Sequence, residues 1–121
     1  MPWKKATEEL TALHAKFVLP FPAEKRKMFG FQVFFVNNNM FTGVYEDGII
    51  MRLPAAEQEK IMAEKDEVVY FEPQGRRMKE YVWLPEPLLS DAAFMNRWLE
   101  RSYQYTSALP LKEKKEPKKK A

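Results

Sequence analysis

Two short stretches hold the residue types best suited to gripping a partner. "QGRRMKEY" (74–81) sets Arg76, Arg77 and Lys79 around Met78, and "EKRKMFG" (24–30) sets Lys27 beside Met28 and Phe29. A guanidinium is a planar fork of donors that matches carboxylate or phosphate, whereas an ammonium is a compact point charge. Interleaved with methionine and phenylalanine, such cations suit an acidic protein surface or a phosphate group. They can equally be plain surface, on a wide loop broken by Pro73 and Gly75, where exposed ion pairs contribute under about 1 kcal/mol. A third reading makes one arginine structural, paired with Glu72 or stacked on Tyr70 or Trp83.

Residues for catalysis are sparse. The single histidine, His14, sits beside Leu13 at the border of an apolar stripe, where packing is the ordinary role. Cysteine is absent, so there is no thiol nucleophile, disulfide or thiolate metal site, which suits a cytoplasmic setting. No Cys/His cluster offers a zinc site. Glycines 30, 43, 48 and 75 are isolated and form no phosphate-cradling loop. Carboxylates such as Glu72 and Glu80 could converge for acid–base work. With 17 acidic residues in 121, however, such pairs are common. The expectation is a protein that is not an enzyme, with no catalytic residues, cofactor or metal.

The net charge of +3 divides unevenly. The last ten residues, "KEKKEPKKKA", contain Lys112, Lys114, Lys115, Lys118, Lys119 and Lys120 with two glutamates, a net +4. Removing them from the totals of 20 basic and 17 acidic residues leaves 14 and 15, a net −1. The basic character therefore belongs to the tail, whose composition cannot offset the entropy of ordering it. If all six lysines met phosphates, log K would fall against log salt with a slope of about −5 for duplex DNA. Without an aromatic they cannot read bases. The expected organisation is a domain over 1–108 and a disordered lysine-rich tail over 109–121. No apolar run approaches the ~20 residues of a membrane span.

The elements that must position these residues follow from periodicity. Ala6, Leu10, Leu13 and Phe17 predict a helix over 4–18, stopped by Pro20 and Pro22. "KRKMFGFQVFFV", "MFTGVY" and "IIMRL" read as three or four strands, turned at "NNN" (37–39) and "EDG" (46–48). "PAAEQEKIMAEK" is a short helix, "EVVYF" and "EYVWL" are strands, and a last helix spans Ser90 to Ala108. The fold class is α+β in the order α-β4-α-β2-α, an antiparallel sheet of about six strands with three helices. A three-residue turn at 37–39 puts Phe31, Val33, Phe35, Phe41 and Tyr45 on a first face. Phe34, Val36, Met40 and Val44 then make a second. Both are apolar, so the second face is covered by helices and loops or left to a partner.

"KMFG" (27–30), "MF" (40–41), "DGIIMRLP" (47–54), "FEPQGRRMKEYVWLPE" (71–86) and "WLERSYQY" (98–105) stand in order along the chain. Together they resemble the TfoX/Sxy N-terminal domain family over about residues 3–107. That resemblance implies a compact α+β domain with a strongly bent antiparallel sheet, similar to type III secretion chaperones. It also implies a regulatory role linked to competence and transcription, with no enzymatic activity. A stand-alone N-terminal domain is expected, without the C-terminal domain of longer members.

Three positions depart from the family pattern. Phe31 replaces a second glycine after "KMFG", and Arg77 and Glu80 replace the proline and glycine of "GRPMKGY". Because "GR.MK" is the family's own pattern, Arg76 is expected to be structural, Lys79 with it, and Arg77 a local addition. The expected activity is contact with a protein partner or a second copy of the chain. The second sheet face and the loops carrying Lys27, Met28, Phe29, Arg76, Arg77, Met78 and Lys79 are the expected surface. The alternative is nonspecific nucleic-acid association through the tail and Arg76/Arg77.

Overall fold

The computed structural model describes residues 7–28 and 30–110. Helix α1 (Glu8–Val18) precedes strands β1 (Glu24–Met28), β2 (Phe31–Val36), β3 (Asn39–Tyr45) and β4 (Gly48–Arg52). Helix α2 (Ala55–Glu64), strands β5 (Val69–Tyr70) and β6 (Tyr81–Pro85) and helix α3 (Ala92–Ala108) complete the order. The class is α+β as expected, with one open antiparallel sheet in the order β1-β2-β3-β4-β6-β5. Two short 3-10 turns, Pro73–Gly75 and Glu86–Ser90, are additions to the expected pattern. The six tail lysines and Phe29 lie outside the described residues.

Local chemistry sets the helix ends. Thr7 caps α1 by accepting from the Leu10 amide at 3.0 Å, so that helix starts at Glu8. Its buried line is Leu10, His14 and Val18, with Leu13 and Phe17 packed alongside. Asp91, rather than Ser90, caps α3 through the Phe94 amide. That helix buries Phe94, Met95, Trp98, Leu99, Ser102 and Thr106. The expected strand "EVVYF" shrinks to two residues, because Val68 turns into the core and Phe71 leaves the ladder to enter a loop.

The first hairpin differs from expectation in an informative way. Its turn has two residues, Asn37 and Asn38, both left-handed at φ +54 and +64. Asn39 is already strand, opposite Val36. A two-residue turn alone would shift every later pair by one. The register instead slips again between Phe34 and Phe35, because Phe41 bulges from β3. Beyond the bulge Val33 faces Gly43, so Val33, Phe35 and Tyr45 share a face, and Phe34, Val36 and Val44 the other. Met40 and Phe41 exchange the faces expected for them, and Phe31, at the start of β2, packs with the helix-side cluster as well as lining the opposite side. Phe41 drops into the core, in edge contact with Phe21 at 5.6 Å and Tyr103 at 5.7 Å.

The helices gather on one face. There Phe34, Val36, Phe41, Val44, Ile49, Met51 and Leu84 meet the buried lines of α1 and α3. The expected "second face" is therefore the helix-covered one, apart from Met40, and it offers no free surface. The opposite face carries a smaller cluster of Val33, Met40, Ile50, Phe71 and Tyr81, flanked by Met28, Phe35, Tyr45 and Trp83. Among the described residues no helix lies on it. It is covered only in part, by the 71–80 connection between β5 and β6.

Candidate functional site

That connection is a closed loop pinned at its base. The Phe71 amide donates to Tyr81 O at 3.2 Å, Met78 N to Phe71 O at 2.9 Å and Tyr81 N to Met78 O at 3.1 Å. Its tip is the Pro73–Gly75 turn, where Gly75 takes φ +80, a conformation costly for any residue with a Cβ. From α2, the buried Gln58 amide donates to Lys79 O at 2.7 Å and Leu53 O at 2.8 Å, tying helix, strand end and loop together. Glu80 accepts from Arg52 Nε at 2.8 Å, and Arg52 Cζ lies 5.3 Å from the Tyr81 ring. Gln58 and Arg52 were not singled out from the sequence. A glutamine in a polar helix and an arginine ending a strand carry no local signal of such a role.

Between loop and sheet lies an apolar cleft of about 660 Å3. Phe31, Val33 and Ile50 form its floor, and Tyr45 and Phe71 form walls, their rings edge-on at 4.9 Å. Gly43 lets β2 and β3 close up beneath it, since a Cβ there would stand 2.5 Å from Val33 Cγ1. Met28 enters from the end of β1, and Pro73, Arg76, Arg77 and Met78 come from the loop. Burial first, and then the nearby Glu46 carboxylate, push the Tyr45 phenol above its usual range, so this wall stays uncharged at neutral pH.

The structure thus brings together four of the seven loop residues expected to form a surface: Met28, Arg76, Arg77 and Met78. Lys27 and Lys79 are exposed and do not line the cleft, and Lys79 contributes its main-chain oxygen to Gln58. The expected roles of the arginines are reversed. Arg77 is the stacked one, its Cζ 3.6 Å from the centre of the Tyr70 ring, while Arg76 has no ion-pair or ring partner among the described residues. The reason is reach: Tyr70, half-buried on the edge strand, flanks the far limb of the loop. Each departure from the family pattern has a local use. Phe31 lies in the cleft floor with Tyr45 at 5.2 Å, Arg77 stacks, and Glu80 pairs with Arg52.

The chain has six arginines. Arg26 pairs with Glu24, Arg52 with Glu80, Arg97 with Glu64 and Arg101 with Glu57. Arg76 and Arg77, on the cleft rim, have no carboxylate partner among the described residues. Stacking on Tyr70 holds the Arg77 plane while leaving its edge N–H groups available to a planar anion. His14 lies far from this chemistry. It is fully buried between α1 and β3, Nε2 3.0 Å from Thr42 Oγ1, and burial lowers its pKa from 6.5 to about 3. Among the described residues there is no group of three or more His, Cys, Asp or Glu arranged to hold a metal ion, and no helix long and apolar enough to cross a membrane.

The sequence profile of the TfoX N-terminal domain matches residues 21–106. No curated protein matches the chain. No solved structure matches it. The matched span contains all six strands, α2, most of α3 and the complete cleft.

Proposed function

The chain belongs to the TfoX N-terminal domain family, and from that premise we propose that it is a non-enzymatic regulatory adaptor acting by contact with a protein partner. The family is linked to competence regulation, and a transcription-linked duty in the cytoplasm is the setting in which we place this member. One observation carries the reading: two arginines that have no carboxylate partner among the described residues stand on the rim of an apolar cleft, on the face of the sheet that none of the described helices covers. Apolar area supplies affinity, and unpaired cations supply register and partner choice.

The test is a photo-crosslinking amino acid at position 78, introduced into the full chain in its own cells. A discrete adduct with one protein, absent when the probe sits at exposed Glu100 on the helix side, is the expected result. An adduct only with a second copy would make the protein a self-associating module instead. No adduct at all would remove the adaptor reading.

A second reading, nonspecific contact with nucleic acid, draws on the same two arginines together with the tail lysines. It predicts a salt-sensitive gel shift that disappears when the six tail lysines become glutamine. A shift that persists in that variant would contradict it.

A further inference from the structure

Resting on the adaptor reading, we infer that the segment received by the cleft is an acidic one, presenting adjacent apolar side chains flanked by carboxylates. The floor and walls are aliphatic and aromatic, so a charged or amide side chain placed there would lose its hydration without a partner. The volume of about 660 Å3 accommodates more than one side chain. Met28 and Met78 both line the cleft, as unbranched, polarizable groups that adapt to varied shapes.

The rim supplies the charge selection. Arg76 and Arg77 are adjacent and without carboxylate partners among the described residues, whereas every other arginine of the chain has one. Arg77 is held by Tyr70 with its N–H edge free, the geometry for bidentate capture of a carboxylate. Glu46, Asp47 and Glu72 line the separate hollow beyond the Tyr45–Phe71 wall. An acidic segment therefore gains at the arginine rim and is repelled beyond that wall.

The same charges exclude the nearest alternatives. The chain's own tail brings six lysines and meets like charge at the rim. A second copy could offer Leu19, 80% exposed, or Val69, 46% exposed and near Asp66 and Glu67, but a single side chain fills little of such a cleft.

The experiment titrates the full chain, labelled at its methionine methyls, with the acetylated peptide DDLFDD, and follows the Met28 and Met78 signals by NMR. DDLFDD should shift both methyls saturably, while KKLFKK and DDAADD should not. The Arg76→Ala/Arg77→Ala double variant should bind DDLFDD at least tenfold more weakly, and both positions are exposed, so the fold survives. Equal binding of KKLFKK, or unchanged affinity in the double variant, would overturn the inference. So would decanoate alone shifting the methyls, which would mark a site for small amphipathic acids, or methyl shifts that follow a doubling of mass on concentration. A crosslinked partner whose contact segment is basic would keep the adaptor reading and overturn this one. A silent crosslink beside selective DDLFDD binding would remove the adaptor reading while the cleft's preference held.

Discussion

On the helix side of the sheet, Arg97 and Arg101 reach from α3 to Glu64 and Glu57 of α2, and the Trp98 indole also donates to Glu64 at 3.0 Å. That hydrogen bond and then the Arg97 pairing hold the Glu64 carboxyl below its usual range. On the loop side, Arg76 and Arg77 stand on the rim of a cleft and meet no carboxylate among the described residues. Both faces are apolar at the level of the strands. They differ in what closes them: helices α1 and α3, with α3 charge-paired to α2, on one side, and a ten-residue loop on the other. A face meant to stay closed spends its cations on its own carboxylates, whereas a face meant to be met keeps them available.

The sharpest way to break the comparison is to truncate one large side chain on each side. Phe41→Ala removes a fully buried ring from the helix side and should cost about 3–5 kcal/mol in urea denaturation. Met78→Ala on the cleft rim, already 38% exposed, should stay within about 0.5 kcal/mol. Similar losses at both positions would mean the loop side is as tightly packed as the helix side.

Acid should find the helix side first. Thr42 Oγ1 donates to Ile50 O at 2.5 Å, so His14 Nε2–H donates to Thr42, and Nδ1 is left buried without a partner among the described residues. The folded pKa of about 3 lies below the ordinary 6.5, so the unfolded chain binds the proton more readily. Stability is then level above pH 6.5 and falls by about 1.4 kcal/mol per unit as pH drops below it. Between 6.5 and 4.5 that loss is separable from the ion pairs, since Glu57 and Glu64 titrate below 4.5. His14→Leu should flatten this window. An unchanged slope would sink the assignment.

Smaller effects sharpen the loop side. Gln58→Ala leaves Leu53 O and Lys79 O without their donor and should cost about 1–3 kcal/mol, with faster amide exchange at Met78. Gly75→Ala at φ +80 should cost about 1 kcal/mol, with open space around the added methyl so that strain is the sole cause. Arg77→Ala should cost under about 1 kcal/mol, as for an exposed stacked cation. A larger loss would make Arg77 a structural residue and not a free rim cation.

The legible part of this fold was written in local chemistry. Prolines at 20, 22 and 54, the asparagine turn and the 3.6-residue spacing in α3 place the elements within a few residues. The cationic loop was legible as a feature, but the roles within it were not. Whether Arg76 or Arg77 stacks depends on where Tyr70 stands, and β5 carries too little pattern to place it. Gln58 was invisible because its two acceptors are main-chain oxygens, which every residue has.

By itself, then, the sequence determined the family through the resemblance of its ordered motifs, and it determined the α+β order and the alternation of apolar residues along the strands, because these last two follow from spacing, turn chemistry and period. Tertiary structure decided which sheet face is open. A single bulged residue, Phe41, restores a register that a two-residue turn would have shifted, and it sends its own side chain to the other face. It also decided that Met28 and Arg76–Met78, some fifty residues apart, share one cleft. That juxtaposition comes from a loop folding back over a sheet, and no short-range pattern encodes it.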